Sequence, residues 1–151
     1  MGAEIMSLSM TTEVVPREST EPSTSWSSGV PFRNLWELEA LRGVFRAEAL
    51  PRNWDSYGSP PPALVAVNRS LGLLRGIADL DLPDLPVPHV APVRGGGIQF
   101  EWGVGQRELE LEILPDGSVD YLKAEAGEAV EQGRLVPAQV HPLLAWLVGG
   151  G

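Results

Sequence analysis

Gly97-Ile98-Gln99-Phe100-Glu101-Trp102 and Arg107-Glu108-Leu109-Glu110-Leu111-Glu112-Ile113 decide how this chain folds. In each run the large apolar side chains fall on one parity and the polar or acidic ones on the other. Successive side chains of a strand point to opposite faces, so this is the pattern of a sheet with one dry face and one wet face. The two runs therefore specify a core and an acidic surface together.

Working outward, a two-residue turn at Val104-Gly105 joins the runs. It sets Phe100 opposite Leu109 and Ile98 opposite Leu111 on the dry face, with Glu101 opposite Glu108 on the wet one. Downstream, Leu114-Pro115-Asp116-Gly117-Ser118 is a hairpin signal: Pro at the first turn position, Asp next, and Gly where a left-handed residue is needed. A three-residue loop there brings Ile113 against Val119 and Leu111 against Tyr121. A two-residue Asp116-Gly117 turn would bury Asp120 against Ile113 and is rejected. Residues 124–136 are small, acidic and glycine-bearing and read as a loop. The free side of Val119–Lys123 then becomes a charged sheet edge, where Asp120 and Lys123 argue against sheet extension into a dimer. Upstream, Pro86, Pro88 and Pro92 fall on one parity of an extended segment running to Val93. They strip N–H donors from one side only, so this strand pairs on its other side and forms an edge.

Two helices precede the strands. Asn34 and Glu37 resemble a capping box, and Leu38, Leu41 and Phe45 repeat at helical spacing, with Leu35 and Val44 beside them, until Pro51. Arg42 and Arg46 lie away from that stripe. After Ser59-Pro60-Pro61-Pro62, a second helix places Leu64, Val67, Leu71, Leu74 and Ala78 on one side, and Gly72 and Gly76 suggest close packing on the sheet. Pro142 opens a short last helix, Leu143 to Val148. The expectation is an α+β fold: a four-stranded antiparallel meander with two N-terminal helices and a short C-terminal helix on one face. Residues 1–30 are rich in Ser, Thr, Glu and Pro and read as a disordered tail, with Val14, Val15 and Trp26 as conceivable anchors. Residues 31–151 read as one domain.

With 20 acidic against 11 basic residues the formal net charge is −9. Phosphate backbones draw their affinity from Lys and Arg, so nucleic acid is a poor partner and a basic protein a better one. Cysteine is absent, which excludes disulfides and thiol chemistry. No apolar run approaches a membrane span, the N-terminus lacks the features of a secretory signal, and Met6 breaks the myristoylation pattern that Gly2 opens. A cytoplasmic protein is expected.

Three groups compete as sites. Glu101, Glu108, Glu110 and Glu112 share the wet face, with Asp120 opposite Glu112. They suit a basic protein surface or, less well, a divalent cation; a merely solvated face, diluted by Arg107 and Lys123, is the plainer reading. Trp54, Asp55 and Tyr57, within Asn53-Trp54-Asp55-Ser56-Tyr57-Gly58, either pin a connector to the core or line a pocket at the helix–sheet seam. Catalysis has only His89 and His141 to draw on. Neither has a spaced partner, and no nucleophile elbow or P-loop occurs. Gly95-Gly96-Gly97 precedes a strand, not the helix that a phosphate loop requires. No cofactor and no metal is expected, and no feature sets an oligomeric state.

The blocks Asn53–Gly58 and Gly96–Trp102, followed by Leu109–Ile113 and Asp116-Gly117, resemble a small bacterial protein family without assigned activity, over residues from about 34 to 124. Its patchy distribution implies mobile or defence-linked genes, toxin–antitoxin and immunity pairs among them. The reading is a non-enzymatic protein-binding module: an antitoxin, immunity protein or chaperone-like adaptor that meets a basic partner through Glu101, Glu108, Glu110 and Glu112. The alternative is a small-ligand or metal-dependent domain with its pocket at Trp54, Asp55 and Tyr57. Whether any catalysis occurs stays open.

Overall fold

The computed structural model describes residues 35–149. The tail over 1–30 and the proposed cap at Asn34 lie outside them. Two helices, α1 (Leu35–Glu48) and α2 (Leu64–Ala78), precede five strands: β1 (His89–Val93), β2 (Gly97–Val104), β3 (Arg107–Ile113), β4 (Val119–Glu125) and β5 (Glu128–Arg134). A 3-10 turn, Pro137–Gln139, leads into α3 (Val140–Gly149). The sheet is an antiparallel meander in the order β1-β2-β3-β4-β5. The fold is α+β, with one strand more than the sequence pattern declares. No described helix is long and apolar enough to cross a membrane.

The dry parity behaves as read. Ile98, Phe100, Trp102, Leu109, Leu111, Ile113, Val119 and Tyr121 are all buried and share one core with the inner faces of the helices. The Pro115–Gly117 loop sets Ile113 against Val119 and Leu111 against Tyr121, with Gly117 at φ 91°. Among the described residues strand β1 pairs only with β2 and is the proline-bearing edge.

The β2–β3 register differs from the expectation. Phe100 faces Leu111, Trp102 faces Leu109, and Glu101 faces Glu110. The turn is Gly105-Gln106, one position later than Val104-Gly105, with Gly105 at φ 61°. A two-residue hairpin loop needs positive φ at its first central residue when only one glycine is available, and glycine takes that conformation without strain. Moving the turn by one position moves the register by two residues, so every side chain keeps its face.

The loop expected over 124–136 is largely strand β5. All seven of its residues are exposed, so it carries no alternation to read. Ala126 (φ 54°) and Gly127 (φ 83°) make the two-residue turn that returns the chain. Tyr121 Oη donates to Glu131 Oε2 at 2.6 Å, Lys123 Nζ donates to Glu131 Oε1 at 3.2 Å, and Arg134 Nε donates to Asp120 Oδ1 at 2.6 Å. The pairing jumps from Lys123–Glu131 to Ala124–Ala129, which leaves Val130 as the extra residue of a bulge. The side of Val119–Lys123 expected to be free is therefore covered.

The first helix buries a face other than the one its largest residues suggest, whereas the stripe read on the second is mostly buried. On α1 the buried residues are Glu37, Ala40, Gly43, Val44 and Ala47, while Leu35, Leu38 and Phe45 are exposed. Small residues set this face because they allow a close approach: a Cβ on Gly43 would stand 2.8 Å from Val90 Cβ of β1. Glu37 is buried with them, its carboxylate 3.2 Å from Arg75 Nε of α2. On α2 the inner face is Ala66, Val67, Ser70, Leu73, Leu74, Ile77 and Ala78; of the expected stripe Val67, Leu74 and Ala78 are buried, Leu71 packs partly buried against the core, and Leu64 is exposed. Gly72 and Gly76 do not pack on the sheet; a Cβ on either would meet nothing within 4 Å.

Candidate functional site

The three described helices pack on the dry face, and among the described residues the wet face of the sheet is left to the strands' own side chains. Residues directly opposite in a ladder share a face. One row across the sheet therefore reads His89, Glu101, Glu110, Leu122, Gln132, and the next reads Ala91, Gln99, Glu112, Asp120, Arg134. Glu108 lies in a third row between Gly103 and Ala124. Neighbouring strands are about 4.8 Å apart, and same-face residues of one strand about 7 Å apart. Glu110 thus has Glu101 beside it and Glu108 and Glu112 above and below it.

The electrostatics follow. Partial burial, then Glu101, Glu108 and Glu112 in that order, push the Glu110 carboxyl above the usual carboxylate range. Gln99 Nε2 donates to Glu101 Oε2. Arg134 pairs with Asp120, and Asp120 in turn raises the guanidinium pKa. Two shallow hollows flank Glu110. One, of about 310 Å³, is lined by His89, Glu101, Glu108 and Glu110; the other, of about 250 Å³, by Glu112, Asp120, Leu122 and Gln132.

Arg107 and Lys123 do not dilute this face. Both lie on the dry parity, beyond Leu109 and Tyr121, and clamp the indole of Trp146 on α3. The Arg107 guanidinium is 4.8 Å and the Lys123 ammonium 4.5 Å from the ring centroid. Arg107 Nη1 also donates to the Trp146 carbonyl at 2.6 Å. The signal was available in the sequence: Arg107 shares the parity of Leu109, and Lys123 that of Tyr121. The cation that does reach the acidic rows is Arg134, which was hidden in the expected loop.

The Asn53–Gly58 connector closes on itself. Asp55 Oδ1 accepts the amides of Tyr57 (2.9 Å) and Ser59 (3.1 Å), and Oδ2 accepts the Ser59 hydroxyl at 2.6 Å. Arg94 Nε lies 3.4 Å from the same carboxylate. The Ser59 hydroxyl first, then the Tyr57 and Ser59 amides, hold Asp55 down at about 2 against the cost of its burial. Trp54 Nε1 donates to the Pro60 carbonyl at 2.8 Å. Tyr57 does not pin the loop to the core. It is exposed, with the Arg94 guanidinium 4.5 Å over its ring. Asn53 (φ 62°) and Ser56 (φ 65°) take left-handed conformations, and Asn53 Oδ1 accepts the Gly58 amide at 2.6 Å. The polar groups of Asp55 thus turn inward on the loop.

The arrangement supplies a negative field over a flat, hydrogen-bonded sheet, with carboxylates spread over three strands. Among the described residues no group of three or more His, Asp or Glu side chains stands where it could hold a metal ion. Comparison with family models, with curated proteins and with solved structures finds no match.

Proposed function

We propose that this chain is a non-enzymatic protein-binding module whose wet sheet face, carrying Glu101, Glu108, Glu110 and Glu112, receives a basic protein surface. Its role would be that of an antitoxin, immunity protein or chaperone-like adaptor of bacterial type. The observation that supports this most is the environment of Glu110. Its carboxylate is partly desolvated and ringed by three others; Arg107 and Lys123 face the opposite way, and Arg134, which reaches this face, is paired with Asp120. A Lys or Arg brought by a partner supplies the missing counter-charge, so association relieves a repulsion that the free protein carries.

Affinity capture of the tagged full chain from its host, at low and high salt, tests the reading. A single basic protein retained at low salt and released at high salt is expected. Reversal of Glu108, Glu110 and Glu112 to Lys, in a variant shown by circular dichroism to fold, should abolish its retention. A partner that survives the triple reversal, or no specific basic partner at low salt, refutes the proposal.

A further inference from the structure

A second feature, remote from the acidic rows, has the opposite chemistry. Between α2 and the Pro137–His141 segment runs a groove of about 280 Å³. Gly72 and Gly76 form its α2 wall, where the absence of side chains leaves the space open. Leu73, Ile77 and Val140 supply apolar surface. The polar side chains that line it are Arg69 and His141, and none of its lining residues is acidic. In a chain of net charge −9, such a place is distinctive.

We propose that this groove binds a short-chain aliphatic carboxylate, with its alkyl chain along Gly72, Leu73, Gly76 and Ile77 and its carboxylate towards Arg69 and His141. The fit rests on charge and size. An uncharged apolar ligand has no use for a cation at the rim, and a cationic one is repelled by it. The volume, about 280 Å³, falls just below the range of small-molecule pockets, about 300 to 1,000 Å³, and suits a short chain better than a long lipid tail. Arg69 makes no ion pair with another described residue, so its guanidinium is available for a bidentate contact.

Isothermal titration of the full chain with butyrate, hexanoate, octanoate and 1-octanol tests the assignment. Octanoate should bind saturably at one site, with affinity rising roughly fourfold per added methylene along the series. Octanol should bind about tenfold more weakly, and Arg69→Gln should lower octanoate affinity by about the same factor. Gly76→Leu fills the groove from an exposed helical position with open space above it, so the variant folds, and it should abolish binding. No saturable octanoate binding, binding unchanged in Gly76→Leu, or octanol equal to octanoate overturns the proposal. So does a dimer in sedimentation equilibrium that Gly76→Leu dissociates, because the groove then belongs to a second copy.

Discussion

Glu110 stands directly across the β2–β3 ladder from Glu101, with Glu108 and Glu112 on either side of it along β3. Its carboxyl titrates above the usual range, so the folded chain holds a proton there that the unfolded chain has released. In that window stability falls as pH rises, and above it the full penalty of the charge is present. Glu110→Gln should therefore stabilise the protein at pH 7 by a few tenths to about 1 kcal/mol, the usual cost of like charges across a ladder. The gain should shrink towards pH 4. Urea unfolding at the two pH values checks this, and equal gains at both would show that repulsion is not the cause.

Asp55 carries the opposite sign. Its pKa of about 2 lies below that of a free aspartate, so its contribution is complete above roughly pH 4 and is lost as pH falls towards 2. Asp55→Asn should lower the melting temperature at pH 7 and have a much smaller effect at pH 2, where the native carboxyl is about half protonated. The Ser59 hydroxyl is the largest cause of the shift, so Ser59→Ala should raise the pKa of Asp55, read by NMR titration of its side-chain carbon. A pKa unmoved by that substitution would locate the cause elsewhere.

The parts of this fold that were legible are those in which burial alternates with sequence. Strands β2 to β4, the Pro115–Gly117 hairpin and the proline-bearing edge all follow from parity and from proline's missing donor. Parity could not choose between registers two residues apart, and so the partner of Glu101 came out as Glu108 where it is Glu110. Strand β5 was illegible because it buries nothing; backbone pairing and the ion pairs of Glu131 and Arg134 hold it. The face of α1 does not follow from its large apolar residues, which guide burial only where space allows. Here Ala40, Gly43 and Ala47 win by letting the backbone approach β1, and Leu38 and Phe45 are left outside.

Gly43 puts that argument to a quantitative test. In an isolated helix, Gly→Ala is stabilising by about 1 kcal/mol. At this position the new methyl group would meet Val90 Cβ at 2.8 Å, and Val90 sits on a paired strand that cannot retreat freely. Gly43→Ala should instead destabilise by about 1–3 kcal/mol, the usual cost of overpacking. Combining it with Val90→Gly should cost less than the sum of the two single changes, since the second removes the Cβ and both Cγ atoms that the first strikes. Additive costs in a double-mutant cycle would mean that α1 is not held at this contact.

Trp146 lies between two cations, and the geometry distinguishes their roles. Arg107 stacks on the indole, donates to the Trp146 carbonyl at 2.6 Å and stands 3.5 Å from Glu125 Oε2, so it ties α3 to β3 and β4 together. Lys123 reaches the same ring but is also bonded to Glu131 on β5. Arg107→Met keeps most of the aliphatic packing while removing a charge-assisted hydrogen bond and a partly buried cation–π contact. It should cost about 2–3 kcal/mol. Lys123→Met removes the cation–π contact and an exposed ion pair, and should cost about 1 kcal/mol. Amide exchange separates the two. The arginine variant should lose protection across Val140–Gly149, whereas the lysine variant should lose it chiefly in Glu128–Arg134. If both variants loosen the same segment equally, Trp146 is held by its apolar contacts and the two cations are incidental to it.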